Sequence, residues 1–171
     1  LFTAADRVAD MDLGDIKTSA ELVAPRMWDE TLVKLSLPCR YVTPKSLDDA
    51  ECVVLDAFSV KQLTDAEIHK CLSKSVLADA GAANELQKRG FGKYLGISVG
   101  EKIMCVASSE LIHTKKRTDG SDIIIPSRID GGKWRGLKAD GAEILSSLIT
   151  PDGKRHPGFT MFENSLGGKF C

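Results

Sequence analysis

The chain has 171 residues, a length that fits one domain, since single domains usually run ~100–200 residues. Its 43% hydrophobic and 27% charged residues are the composition of an ordinary globular chain rather than a disordered or fibrous one. Lys and Arg number 23 against 24 Asp and Glu. The basic surplus needed for non-specific nucleic-acid binding is therefore missing, and no apolar run reaches the ~18 residues of a membrane span. Neither a nucleic acid nor a membrane is expected as a partner.

The first forty residues read as helical, with Leu32, Val33, Leu35 and Leu37 apolar in a segment that Pro38 must end. Cys39 to Thr43 reads as a short strand, and Ser46 to Glu51 as a polar connection. Cys52 to Ala57 is a compact apolar run of the kind that forms buried parallel strands. Thr64 with Glu67 three residues on predicts a capping box that opens a helix through Leu72. Ser75 to Asp79 is the next strand, Ala80-Gly81 the turn, Ala82 to Arg89 a helix, and Gly90 its C-terminal stop. Ile103 to Ala107 is a further apolar strand. This alternation predicts βαβ crossovers and a doubly wound, mostly parallel α/β sheet with helices on both faces.

Beyond Ser108 the pattern changes. Thr114 to Asp122 is polar and glycine-containing, Ile123 to Ile125 a short strand, and Asp130 to Lys133 a hairpin turn. Ala142 to Leu148 reads as strand or short helix, and Pro151-Asp152-Gly153 as a turn. Phe159 to Glu163 and Lys169 to Cys171, joined through Asn164 to Gly168, form a hairpin added at the C-terminal end. Residues 1–171 are read as one domain. The start at Leu1, with no basic and apolar leader, and the close on what resembles an interrupted strand give the expectation of a piece of a longer chain.

The candidate site is the strand-to-helix elbow Asp79-Ala80-Gly81-Ala82, because sites in open α/β sheets collect beyond the carboxyl ends of the strands. A nucleophile is expected on such an elbow near a helix N-terminus, yet this one carries no Ser or Cys, and Gly81 reads as a residue that allows close packing. Five cysteines (39, 52, 71, 105 and 171) form no zinc spacing and read as core thiols. His69, His113 and His156 share no metal-binding spacing. Asp48, Asp49 and Glu51 read as solvated loop carboxylates rather than a glycosidase pair. The glycines from Gly90 to Gly96 follow a helix instead of opening one, so they are no phosphate cradle. Neither a cofactor nor a metal is expected.

Ser75 to Gly96, ending Arg89-Gly90-Phe91-Gly92-Lys93-Tyr94-Leu95-Gly96, resembles the strand, elbow and helix of class I glutamine amidotransferase-like domains attached to bacterial glycoside hydrolases. Phe162-Glu163-Asn164-Ser165-Leu166-Gly167-Gly168-Lys169 resembles the hairpin that closes such domains. The resemblance covers roughly residues 20–171. It implies a flavodoxin-like fold and, because Ala80 and Gly81 stand where the nucleophile belongs, a non-catalytic domain of the kind found in the middle of β-galactosidase-like enzymes. It further implies docking on a catalytic domain of the same polypeptide, in some relatives a share in the wall of that domain's active site, contacts between copies, contact with carbohydrate only through the parent enzyme, and export to the periplasm or cell surface. Two rival readings use other residues. In one, Cys105 is a nucleophile with His113 as its base, giving a hydrolase or amidotransferase-like enzyme. In the other, Trp28, Trp134 and Tyr94 stack on sugar rings in a carbohydrate-binding module.

Overall fold

The computed structural model describes residues 32, 34–36, 47–48, 50–104, 107–129 and 133–171. Residues 32 and 34 are helical, in line with the first expected helix, whereas the strand expected over 39–43 and Trp28, Cys39, Asp49 and Cys105 lie outside the described residues. The well-packed half begins with β1 (Cys52–Leu55), α1 (Ala57–Gln62), α2 (Asp65–Leu72), β2 (Ser75–Ala78) and α3 (Ala80–Lys88). A single 3₁₀ turn (Gly92–Tyr94) follows. The remainder is strand: β3 (Ile97–Met104), β4 (Ala107–Lys116), β5 (Asp122–Ile129), β6 (Lys133–Ala139), β7 (Glu143–Ile149), β8 (Arg155–Glu163) and β9 (Lys169–Phe170).

Local chemistry explains the helical half. Asp56 cuts the apolar run short of Ala57, because its Oδ1 accepts the Ser59 amide at 2.6 Å and starts α1. Thr64 and Glu67 make the expected capping box on α2, with the Thr64 amide donating to the Glu67 carboxylate at 2.7 Å. α3 stops in a Schellman motif. Gly90 donates to the Gln87 carbonyl and Phe91 to that of Leu86, while the Leu86 and Phe91 side chains are both buried. Arg89, just past the end of α3, donates to the carbonyls of Val60 and Leu63 at 2.7 Å each, closing the C-terminal end of α1, and pairs with Asp65.

β1 and β2 run parallel, Val53 opposite Val76, with α1 and α2 as the crossover. Val53, Leu55, Val76 and Phe170 face a core filled by Val60, Ile68, Leu72, Leu86 and Leu95, while Val54 packs with Leu32 and Leu77 on the other face. Burial on both faces is why the β1 sequence is almost wholly apolar.

The doubly wound, mostly parallel, flavodoxin-like sheet is overturned. The main sheet has the order β1-β2-β9-β8-β7-β4-β5, and a second sheet pairs β3 with β6. Only β1–β2 and β2–β9 are parallel among the described pairs; β9–β8, β8–β7, β7–β4 and β4–β5 are antiparallel. After Met104 the described residues form strands joined largely by short turns, as at Arg117–Ser121 and Thr150–Lys154. Such connections are too short for a parallel crossover, which takes a dozen residues or more. The expected strand at 103–107 is the end of β3 and the start of β4, and the segment read as strand or short helix is the strand Glu143–Ile149.

The hairpin at Asn164 to Gly168 is where the two halves meet. Asn164 Nδ2 donates to the carbonyl of Leu72 at 2.9 Å, and its Oδ1 accepts the amides of Leu166 at 2.9 Å and Gly168 at 3.3 Å. Leu72 ends α2, so its carbonyl has no partner within the helix. A Cβ on Gly168 would lie 2.1 Å from that same oxygen and 2.3 Å from the Lys74 carbonyl, so only glycine lets the hairpin approach this closely.

Candidate functional site

The elbow forms at Asp79, and Ala80-Gly81, expected as the turn, open α3 instead. β2 ends at Ala78, Asp79 takes an extended conformation (φ −81°, ψ 166°), and its Oδ1 accepts the Ala82 amide at 2.6 Å, capping α3. Ala82 and Ala83 are buried behind the turn. A Cβ on Gly81 would stand 3.2 Å from the Ala57 Cβ and 3.0 Å from Asp79 Oδ1. Its role is thus close approach of α3 to α1, and the cap, rather than a nucleophile, occupies the turn.

A cavity of about 280 Å³ opens beside the elbow. Ala78, Asp79, Ala80 and Ala83 form one side, and β3, β6, β7, β8 and β9 contribute the rest through Ile97, Arg135, Leu137, Leu148, Thr160, Phe170 and Cys171. Cys171 is a group that sequence reasoning did not bring here. Its position one residue past β9 puts it beside β2, with its amide donating to the Val76 carbonyl at 2.8 Å. Burial pushes its thiol above the ordinary range, and the nearby Cys52 adds to the rise. That is opposite to the depressed pKa of a nucleophilic cysteine. No histidine lines this cavity among the described residues.

The other sequence candidates are scattered. His113 stands on β4, four strands from β2, about 19 Å at normal strand spacing. Its Nε2 lies 2.8 Å from the Ser147 hydroxyl on β7. Tyr94 is 7% exposed, stacked edge-on to His69 at 5.6 Å and capped by the Lys93 ammonium 4.9 Å from its ring centre, so it offers no face to a sugar. Trp134 sits in β6 opposite Ile103. Asp48 pairs with Lys70 at 2.8 Å, and that hydrogen bond holds its carboxyl below the usual range, as a solvated carboxylate in a salt link should be. No group of three His, Cys, Asp or Glu side chains among the described residues is close enough to hold a metal ion.

A second recess, about 430 Å³, lies on the sheet over β4, β7 and β8, between Ile112, Leu145 and Phe159. Glu110 lines it and accepts the Ser146 hydroxyl. Phe159 borders both cavities and is 40% exposed, and Ile124 and Ile125 on the edge strand β5 are 54% and 48% exposed. No residue pattern marks this surface in the sequence, because its members come from three separate strands. Comparison with family models, curated proteins and solved structures gives no match to this chain.

Proposed function

We propose that the chain is a non-catalytic accessory domain of a larger carbohydrate-active enzyme, which docks against the catalytic domain of the same polypeptide or joins copies of it. The observation that carries this reading is the elbow. At the position where an α/β enzyme holds its nucleophile, this chain has Asp79 tied up in a helix cap, followed by Ala80 and Gly81. The thiol that does reach the cavity is held protonated by burial.

The docking role draws on the apolar side chains left at the antiparallel end of the sheet. Ile125 and Phe159, with the recess between Ile112 and Leu145, provide a surface of the kind that marks interaction sites. The test is direct. The purified chain is assayed against a panel of aryl glycosides and against L-glutamine, and no turnover above the buffer rate is expected. Turnover at enzymatic rates with either substrate class would refute the reading.

A further inference from the structure

The cavity beside the elbow is lined by an arginine and a threonine among apolar side chains. Thr160, on β8, lines the cavity, and its hydroxyl makes no side-chain hydrogen bond among the described residues; since Ser59 Oγ is the one buried and unpaired side-chain atom among them, the Thr160 hydroxyl is open to the cavity's solvent. Arg135, on β6, lines the same space. Its Nη1 donates to the Gly100 carbonyl at 3.3 Å, and the guanidinium makes no ion pair among the described residues. Asp79 also borders the cavity, but its Oδ1 is directed into the α3 cap. The walls are apolar: Ile97, Leu137, Leu148 and Phe170.

We propose that this cavity binds a small carboxylate on an apolar body. The guanidinium fork of Arg135 matches the two oxygens of a carboxylate. The Thr160 hydroxyl has a proton to donate to one of them, and the apolar body lies against Ile97, Leu137, Leu148 and Phe170. A single cation with one hydroxyl suits one negative charge better than a phosphate dianion, which would bring more acceptor oxygens than these donors can meet. The volume, about 280 Å³, is at the small end of ligand pockets. A binding site of this kind stands independently of whether the chain is catalytic.

The test titrates the 171-residue chain with hexanoate and, in parallel, with hexanamide, its neutral counterpart, following backbone amides by NMR. Hexanoate is expected to saturate with a Kd of about 1 mM, a reasonable ceiling for so few atoms, and to shift the amides of Thr160 and Leu137. Hexanamide is expected to bind about tenfold more weakly, the loss that goes with a missing charge-assisted pair. Arg135→Gln should remove the preference for the acid, and Thr160→Val should weaken hexanoate a few-fold. Should Arg135→Gln fail to fold, Arg135→Lys keeps the charge without the fork and is expected to lower the preference for the acid. Equal affinity for acid and amide overturns the carboxylate assignment. Absence of saturable binding by either compound, or shifts confined to residues away from the cavity, overturns the site.

Discussion

Replacing Asn164 by alanine removes three hydrogen bonds from one side chain. The Leu72 carbonyl, an unpaired C-terminal group of α2, loses its donor at 2.9 Å, and the amides of Leu166 and Gly168 lose their acceptor. Asn164 is 5% exposed and the bond to Leu72 is buried, so water cannot readily replace it. A typical hydrogen bond contributes about 1 kcal/mol, and a buried group left unpaired costs about 1–3 kcal/mol. Taking the buried Leu72 carbonyl at about 2 kcal/mol and the two amides together at about 1–2 kcal/mol gives a loss of about 3–4 kcal/mol. For a chain of this size that lowers the melting temperature by about 6–16 °C. Urea unfolding followed by circular dichroism, with the slope m unchanged, measures it. Asn164→Asp keeps the acceptor for both amides but turns a carboxylate on the Leu72 carbonyl, so it should be no better than alanine. A loss under about 1 kcal/mol for Asn164→Ala would show that the side chain is not what joins the hairpin to α2.

Gly168→Ala is expected to be at least as damaging, since its Cβ would fall 2.1 Å from the Leu72 oxygen. A urea midpoint within error of the parent would contradict the close approach. Cys171 should react with iodoacetamide far more slowly in the folded chain at pH 7.5 than in urea, because burial raises its pKa and keeps it as the thiol; equal rates would show that the fold does not hold it as the thiol. Burial also pushes the Cys71 thiol from 9.0 up to about 12. Its folded pKa is raised, so its contribution is fully present below pH 9 and is lost as the pH rises from 9 towards 12. At pH 10.5 the shortfall is roughly 2 kcal/mol. Comparing urea midpoints at pH 8.5 and 10.5 should show a smaller drop for Cys71→Ala than for the parent. Phe159→Ser should leave the stability of the chain within about 1 kcal/mol, given its 40% exposure, yet lower the self-association that the proposed docking surface gives, as read by gel filtration at rising protein concentration.

What the sequence made legible is what is decided within a few residues. Thr64 and Glu67 fix the start of α2, Gly90 fixes the end of α3, and Asp79 with its small neighbours marks the elbow. The hairpin around Asn164 could also be read, but not its hold on Leu72, which is 92 residues away in sequence. The sheet was misjudged because two βα steps were extended to a third. Ile97 and Val99 already begin a strand whose partner is β6, and nothing local to 97–104 names that partner. The cavity was legible only on its Asp79 side. Arg135 and Thr160 sit 25 positions apart on separate strands, with no spacing to tie them to the elbow or to each other.

The strand β9 has a consequence for the order in which the fold can form. It is two residues long and pairs parallel with β2 on one side and antiparallel with β8 on the other. Among the described residues the helical half and the antiparallel half therefore share a continuous sheet only through Lys169, Phe170 and the adjoining Cys171, whose carbonyl accepts the Ala78 amide at 2.9 Å. Everything else in the sheet is made earlier on the ribosome. The pairing of β9 with β2 closes a loop of about ninety residues and follows the synthesis of β8. Contacts this distant in sequence slow folding. A nascent chain stalled short of Lys169 would leave the inner edges of β2 and β8 open to strands of other chains.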